Sequence, residues 1–332
     1  MTGILAGMIG LRTGGAVNQM KNKTCTFGGF SRKLIFVIIL IILAFSAFSQ
    51  EIGLVLSGGG GKGAYQVGVW KAFQEYGIAQ KVTAISGSSV GGLNAALFAL
   101  NEMNAISMDD VLYIWQNLVP IYLVEDDALI SQPGLSKIID MLPLEKLNGS
   151  YPLVNVSCVR NRYTLLKAAA KVLGVVGVGD NSHRFWLNVE DDASEIKRKL
   201  LATSAFPVLT SPVTLSDGYE YTDGGNEIVG GDNIPIDGIV YSSDNGSYSY
   251  IDRIDTIYVV YLNQYPKRRI KVKDYDRFNV VEIIPSIDLA GLLDGTANFT
   301  AERINMLIRY GYDDTVKILR EKGLYPVSSF WF

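Results

Sequence analysis

The sequence predicts an α/β fold built on a layered, mostly parallel sheet, and three observations lead to this prediction. First, short apolar runs alternate along the chain with longer stretches of helical character. Second, the first two apolar runs each end in a glycine-rich turn that leads into a helix, and this repeated unit implies parallel strands joined by right-handed crossovers. Third, 48% of the 332 residues are hydrophobic, which is enough for a sizeable core and excludes an intrinsically disordered chain.

The predicted elements follow one another along residues 50–332. Strands are predicted at residues 52–57, 82–86, 153–159, 184–187, 219–222, 256–262 and 280–284. Helices are predicted at residues 64–76, 90–100 and 194–203 and from 301 to about 322. In the first helix, Val67, Trp70 and Phe73 recur at helical spacing, and Gly77 is placed to end it. No repeat or linker divides residues 50–332, so we expect one domain there.

Residues 1–49 have the layout of an N-terminal signal peptide. They contain five basic and no acidic residues, an unbroken apolar run at residues 34–45, and small residues at positions 47 and 49. The run is short for a membrane span, which takes about 20 apolar residues. We therefore expect an exported protein (periplasmic, secreted or envelope-associated), with an uncleaved membrane anchor as the alternative.

The rest of the chain is acidic and poor in metal-binding side chains. Beyond residue 49, 25 basic residues face 33 acidic ones, a net charge of −8, which argues against nucleic acid as a partner. The basic run at residues 267–273 is more typical of a solvated edge or loop than of a lipid head-group site. The two cysteines, Cys25 and Cys158, and the single histidine, His183, cannot build a zinc, iron–sulfur or histidine-based metal site.

A glycine-rich loop at residues 58–63, GGGGKG, separates the first predicted strand from the first helix. Its N–H groups can converge on one point, and the start of the next helix adds partial positive charge, so the loop suits an anion. A nucleotide triphosphate is disfavoured because Leu56 and Gly63 stand where the P-loop pattern needs glycine and serine or threonine. A dinucleotide fits the bare G-x-G-x-x-G spacing, but the next predicted strand ends in serines and glycine and offers no acid for the ribose. The third candidate is a transient oxyanion.

The turn after the second predicted strand favours the oxyanion. Residues 87–91, GSSVG, match G-x-S-x-G between a strand and a helix, the context in which this motif presents a nucleophilic serine. The turn is tight and needs small residues two positions before and after the nucleophile. Only Ser89 has glycine at both positions, Gly87 and Gly91, so Ser88 is excluded.

A serine hydroxyl needs a base to become a good nucleophile. His183 is the only imidazole and lies in a stretch typical of a polar loop. It precedes Asp223, whereas in hydrolases with this elbow the histidine follows the acid, so a Ser–His–Asp triad is disfavoured but stays an alternative. Asp223 is the better candidate, because Gly224 and Gly225 follow it and leave its carboxylate uncovered after a predicted strand.

Taken in order, these three motifs resemble the signature of the patatin-like phospholipases. That signature is a glycine-rich oxyanion loop with a basic residue, then G-x-S-x-G, then D-G-G or D-G-A. Residues 202–207 also resemble the family's segment before the aspartate, and residues 311–314 its C-terminal helix. The resemblance implies a three-layer sandwich with a mostly parallel central sheet. It also implies a Ser–Asp dyad without histidine, in which Asp223 accepts the Ser89 proton and later activates water.

The resemblance further implies the roles of the remaining motif residues and of the substrate. The N–H groups of Gly59, Gly60 and Gly61 would hold the oxyanion, and Lys62 would place a positive charge near them unless it is merely a solvated residue. The other motif positions are Gly58, Gly63, Gly87, Gly91, Gly224 and Gly225. The implied reaction is hydrolysis of fatty-acyl esters of (phospho)lipids, at a membrane or micelle surface, through an acyl-enzyme and without metal or cofactor. A non-catalytic lipid-binding protein is the alternative from another functional class.

A carboxylate is a weak base toward a hydroxyl. The dyad should therefore need an apolar, dehydrated setting that raises the proton affinity of Asp223.

Overall fold

The computed structural model describes residues 36–37, 51–125, 129–161, 181–190, 192–207, 209–227, 230–240, 254–264 and 278–327. The predicted signal peptide, apart from residues 36 and 37, lies outside these ranges, as do Cys25 and the basic run at residues 267–273. Among the described residues, no helix combines the length and the apolar character that crossing a membrane requires.

The described residues contain eight strands and eight α-helices. The strands are β1 (Glu51–Leu56), β2 (Val82–Ser88), β3 (Leu153–Arg160), β4 (Ser182–Trp186), β5 (Val213–Thr214), β6 (Glu220–Asp223), β7 (Ile254–Val260) and β8 (Asn279–Ile283). The helices are α1 (Ala64–Glu75), α2 (Val90–Glu102), α3 (Met108–Tyr113), α4 (Val119–Tyr122), α5 (Gln132–Asp140), α6 (Ala193–Thr203), α7 (Asp237–Val240) and α8 (Ala301–Glu321). Short 3₁₀ turns lie at Gly60–Gly63, Ala79–Lys81 and Leu144–Leu147, and π turns at Ile114–Leu118 and Leu292–Thr296.

The strands form one mixed sheet in the order β5–β6–β3–β2–β1–β7–β8, with β4 also paired to β3. The four pairings β3–β2, β2–β1, β1–β7 and β7–β8 are parallel. Strands β4, β5 and β6 run antiparallel to their neighbours. The predicted α/β fold with a mostly parallel sheet is confirmed.

Helices cover both faces of this sheet. On one face, α1, α2, α6 and α8 share the larger core, where Trp70 of α1 stacks on Phe98 of α2 with ring centroids 4.8 Å apart. On the other face, Ile239 of α7 and the preceding Ile236 pack in a second cluster with strand residues such as Ile257. The arrangement is the expected three-layer sandwich.

Helix α8 runs alongside α1, away from the glycine loop. The two helices approach closely because glycine faces backbone at their contact: a Cβ on Gly68 would lie 1.9 Å from the carbonyl oxygen of Ile308. Near the far end, the Arg320 guanidinium donates to the Tyr76 hydroxyl at 3.2 Å. With 21 residues, α8 spans about 30 Å from its start beside the loop.

Two stretches differ from the sequence-based predictions. His183 was expected in a polar loop, but β4 already begins at Ser182, because the strand is fixed by antiparallel pairing with β3 and not by its own composition. No element is predicted above for residues 108–140, where the structure has α3, α4 and α5. These helices are short, and two of them begin at a serine cap: Ser107 forms a capping box with Asp110, and the Ser131 hydroxyl accepts the N–H of Gly134.

Candidate active site

The glycine loop and the elbow meet at one edge of the sheet. β1 and β2 are parallel neighbours with Leu56 paired to Gly87, so the segments after them leave the sheet side by side. A Cβ placed on Gly58 would lie 2.9 Å from the Cβ of Ser89. The loop and the predicted nucleophile are thus in direct contact.

Ser89 sits in a strained conformation that defines the elbow. Its φ and ψ are 54° and −128°, a region that residues other than glycine rarely adopt. A Cβ on Gly87 would lie 2.2 Å from the carbonyl oxygen of Gly91, and one on Gly91 would lie 2.2 Å from that of Leu56. The turn therefore closes only with glycine at both positions, which is the physical reason for the G-x-S-x-G spacing.

Strand β3 brings Asp223 to the elbow. β2 pairs with β3 as far as Ser88, which lies opposite Ser157, and then turns away at Ser89. The next residue of β3, Cys158, pairs with β4 on one side and with Asp223 on the other. β6 therefore occupies the place along β3 that β2 vacates, and its last residue, Asp223, lies beside Ser89.

The Asp223 carboxylate is buried and engaged by the elbow. It accepts a hydrogen bond from the Gly225 N–H at 2.7 Å, and the Ser89 side chain hydrogen-bonds it as well. Burial raises the pKa of Asp223 to about 6, although the hydrogen bonds from Ser89 and Gly225 oppose this rise. The dehydrated setting that the dyad chemistry needs is present.

The three predicted oxyanion glycines, Gly59, Gly60 and Gly61, follow an amide that already has a hydrogen-bond partner. The N–H of Gly58 donates to Oδ1 of Asn233 at 2.9 Å, so this amide is already engaged. Gly60, with φ of 54°, lines the same cavity as the predicted nucleophile and base. Gly61 is buried and Gly59 is half-buried beside it. The role of these three amides stays a prediction.

The remaining motif glycines allow close approaches around this centre. A Cβ on Gly63 would lie 2.3 Å from the Val90 side chain. One on Gly224 would lie 1.9 Å from a carbonyl oxygen of β3, and one on Gly225 would lie 2.5 Å from Oδ1 of Asn233. Any larger residue there would push the loops apart.

An apolar cavity opens beside the two side chains. Its volume, including the mouth, is about 830 Å³. Its walls come mainly from α2, α4, α5 and the segments next to them, and the lining residues are Gly60, Ser89, Val90, Leu93, Asn94, Leu97, Ile114, Trp115, Val119, Leu123, Ile130, Leu135, Ile138, Ile139, Leu142, Leu200, Ser204, Phe206, Asp223, Thr296 and Phe299. Apart from the loop and dyad residues, this lining is almost wholly aliphatic or aromatic.

The family model described as patatin-like phospholipase matches residues 54–240, more than half of the chain. The chain belongs to the patatin-like phospholipase family. The matched range contains the glycine loop, the elbow and the aspartate motif, so the resemblance stated from the sequence is confirmed.

Several individual proteins are also similar to this chain. Lysophospholipase nte1 of Aspergillus terreus is 50% identical over 50 residues, a segment that makes up 15% of this chain and 3% of that protein. VipD from Legionella pneumophila has a TM-score of 0.48 at 14% identity, covering 82% of this chain and 67% of its own. Human GIVD cytosolic phospholipase A2, in complex with methyl gamma-linolenyl fluorophosphonate, has a TM-score of 0.34 at 11% identity, covering 82% of this chain and 58% of its own.

Lys62, the basic residue of the family's glycine loop, fastens the loop to a neighbouring segment. Its Nζ donates to the carbonyl oxygen of Ala290 at 3.2 Å. Burial lowers the pKa of Lys62 from its usual value, while nearby Asp288 opposes and Arg303 adds to this effect. Lys62 is thus half-buried and bound, which departs from the alternative of a solvated residue.

His183 lies on the far side of β3 from Asp223. Cys158 pairs with both residues, one on each side, so their Cα atoms are two strand spacings apart, about 10 Å. The imidazole contacts the Tyr221 ring edge-on, with centroids 5.5 Å apart, and is not among the residues that line the cavity.

In the part of the chain that the structure describes, no group of three His, Cys, Asp or Glu residues could hold a metal ion.

Buried amide side chains hold the two ends of the glycine loop, and no sequence motif marks them. Gln66 donates to the carbonyl oxygen of Ser57 at 2.7 Å, and Asn94 donates to that of Gly63 at 3.0 Å. The two amides also bond each other, with Asn94 Nδ2 donating to Gln66 Oε1 at 2.8 Å. Polar residues on apolar helices were the available signal, since such residues need buried partners.

Thr203, at the end of α6, connects the predicted nucleophile, Ser89, to the predicted base, Asp223. Its hydroxyl accepts the N–H of Ser89 at 3.0 Å and donates to the carbonyl oxygen of Ser157. Its own carbonyl accepts the N–H of Gly224 at 3.2 Å. Because this fully buried residue touches the elbow, β3 and the aspartate loop together, we regard it as a positioning residue.

Replacing Thr203 by valine keeps the shape but removes both hydroxyl bonds. We expect the stability to fall by about 1–3 kcal/mol, because a buried amide and a buried carbonyl lose their partner. We also expect kcat/KM for ester hydrolysis to fall by about tenfold to hundredfold, because the strained elbow loses its anchor. Both quantities can be measured by denaturant unfolding and initial rates.

Two further variants separate positioning from general stability. Thr203→Ser keeps the hydroxyl and should restore most of kcat/KM. Thr222→Val removes another buried threonine hydroxyl, one that lies 3.5 Å from the Val159 carbonyl oxygen and does not touch the elbow. If Thr222→Val lowers kcat/KM as much as Thr203→Val does, Thr203 has no special positioning role.

Proposed function

We propose that this protein is a serine acylhydrolase that cleaves fatty-acyl esters of lipids through an acyl-enzyme on Ser89, with Asp223 as the base. The observation that carries the proposal is the strained Ser89 hydrogen-bonded to a buried carboxylate at the side of an apolar cavity. Family membership supports the same class of reaction.

The first half-reaction transfers the acyl group to the enzyme. Asp223 accepts the Ser89 proton as Oγ attacks the ester carbonyl carbon, and a tetrahedral intermediate with a negative oxygen forms. The N–H groups of Gly59, Gly60 and Gly61 stabilise that oxygen. Collapse of the intermediate breaks the ester bond, and the leaving alcohol takes the proton from Asp223.

The second half-reaction releases the fatty acid. Asp223 removes a proton from water, and the resulting hydroxide attacks the acyl carbon. The bond to Ser89 breaks, Oγ regains the proton, and a carboxylic acid leaves. A pKa of about 6 lets Asp223 be ionised at neutral pH and still bind the proton in the intermediate.

The cavity suits the acyl chain of such a substrate. Its lining follows the start of α2 from Ser89 to Leu97, and these eight residue steps span about 12 Å along the helix. An apolar wall of that length supports a long aliphatic chain better than an acetyl or butyryl group. We include in the proposal that the substrate is a lipid at a membrane or micelle surface, and that the protein is exported.

Lipid hydrolysis and covalent labelling test the proposal together. The purified protein should release fatty acid from at least one of phosphatidylcholine, lysophosphatidylcholine and triacylglycerol. A long-chain fluorophosphonate should form an adduct on Ser89, identified by mass spectrometry of the peptide. Lipid binding with neither release nor adduct would instead establish a non-catalytic lipid-binding protein.

A further inference from the structure

One turn beside the active site exposes two adjacent leucines. In the π turn Leu292–Thr296, which we call the leucine turn, Leu292 is 49% and Leu293 64% exposed. Thr296, at the other end of the same turn, lines the cavity that contains the dyad. The turn therefore reaches from the active site to the solvent.

The leucine turn is held against the glycine loop. A Cβ on Gly60 would lie 2.3 Å from the carbonyl oxygen of Thr296, and one on Gly61 would lie 2.4 Å from that of Asn298. Just before the turn, Lys62 Nζ bonds the Ala290 carbonyl oxygen. These contacts hold the backbone on both sides of the two leucines against the glycine loop.

A second segment of the cavity wall, residues 119–130, also has apolar residues that line the cavity and apolar residues that are exposed to solvent. Val119, Leu123 and Ile130 line the cavity. Their neighbours Ile121, Val124 and Leu129 are 60%, 45% and 48% exposed. The π turn before this segment is tied to the start of α8, since Gln116 Nε2 donates to Asn305 Oδ1 at 2.6 Å. Exposed apolar residues thus accompany the cavity wall on two separate segments.

We propose that the leucine turn, together with Ile121, Val124 and Leu129, is the surface by which this protein docks on a lipid bilayer. Exposed apolar side chains on two segments that flank one apolar cavity indicate a contact site, and lipid is the partner that an acyl cavity must meet in order to load. The inference rests on the proposed function. Acidic residues accompany the patch, Asp294 in the turn and Glu302 in α8, so the attraction is apolar and the fitting partner is a zwitterionic surface.

The test compares two double variants of the full chain. Leu292→Ser/Leu293→Ser removes the exposed leucines, and neither residue lines the cavity. Leu324→Ser/Val327→Ser is the control, since these residues are 39% and 66% exposed but lie beyond the far end of α8. Each protein is tested for flotation with phosphatidylcholine vesicles, for hydrolysis of vesicle lipid, and for hydrolysis of p-nitrophenyl octanoate as a dissolved ester.

We expect the leucine-turn variant to lose about tenfold or more in vesicle binding and vesicle hydrolysis, because less apolar area enters the interface. Its rate on the dissolved ester should stay within about twofold of wild type, since the dyad is untouched. The control should match wild type in all three assays. Binding should be insensitive to salt.

Several outcomes would overturn the inference. Undiminished vesicle binding of the leucine-turn variant, or an equal loss in the control, would show that the turn is not the docking surface. A wild-type dimer that becomes monomeric only in the leucine-turn variant, with vesicle binding unchanged, would assign the patch to a second copy of the chain. A wild-type protein that hydrolyses neither ester refutes the proposed function instead, so the two failures are distinguishable.

Discussion

Replacing Ser89 by alanine is expected to abolish ester hydrolysis, with kcat reduced by about 10⁴-fold or more. In the proposed mechanism the Ser89 hydroxyl forms the acyl-enzyme, and without it only binding and oxyanion stabilisation would remain. Alanine must adopt the same strained backbone conformation as Ser89, with φ of 54°. We therefore expect the fold to be retained. Fatty acid release and fluorophosphonate labelling measure the loss.

Ser88→Ala is the matched control, since it removes a hydroxyl from the neighbouring position. The Ser88 Oγ is buried and has no hydrogen-bond partner among the described residues, so its loss should change kcat by less than about threefold. Activity that is retained in Ser89→Ala and lost in Ser88→Ala would make Ser88 the nucleophile. It would overturn an assignment that was made from the flanking glycines alone.

The geometry of the elbow could be predicted from the sequence because steric contacts determine it. A turn that brings the backbone of residue 91 to within contact of residues 56 and 87 admits only glycine, so the spacing itself predicts the geometry. The parallel sheet was predictable for a similar reason, because a strand that ends in a turn and a helix must cross over before it pairs again.

The placement of Asp223 could not be derived in the same way. D-G-G is a common turn, and Asp223 reaches Ser89 only because β6 pairs with β3 where β2 ends. Such pairing between distant segments leaves no local signal, and only the resemblance to a family indicated it. The extension of β4 to include His183 was missed for the same reason.

The cavity and the position of Thr203 could not be predicted from the sequence either. Beyond α2, much of its wall comes from residues 114–142, whose short helices carry no motif and owe their positions to packing. Thr203 was visible only as part of a segment that resembles the family's, and its three hydrogen bonds depend on the tertiary structure. A positioning residue such as Thr203 acts through contacts with residues that are far away in the sequence, and sequence spacing does not predict such contacts.

Replacing Asp223 by asparagine is expected to lower kcat by about 10³-fold or more while making the protein more stable at neutral pH. Asparagine has a similar shape but cannot accept the Ser89 proton. It also removes a buried charge whose burial raises the pKa from 3.8 to about 6, and this difference corresponds to about 3 kcal/mol of native-state destabilisation when the group is ionised.

The sign of the pH dependence follows from that raised pKa. Between pH 3.8 and about 6 the folded wild-type protein binds more protons than the unfolded chain, so its stability falls as the pH rises through this window. The stability gained by Asp223→Asn should therefore be small near pH 4 and largest above pH 6. Wild-type kcat should move oppositely, rising through about pH 6 as the base ionises. Denaturant unfolding and initial rates from pH 4 to 8 measure both.

Two controls separate the base from its surroundings. Asp217→Asn alters an exposed aspartate in the β5–β6 hairpin that accepts the Tyr221 hydroxyl at 2.7 Å, and it should leave kcat nearly unchanged. His183→Ala should also retain most of the activity if the dyad acts without histidine. Activity that survives in Asp223→Asn but disappears in His183→Ala would replace the dyad with a triad. Loss of activity in Asp223→Asn without any gain in the free energy of unfolding would mean that ionising the buried carboxylate costs little free energy. Its environment would then not raise the pKa of Asp223.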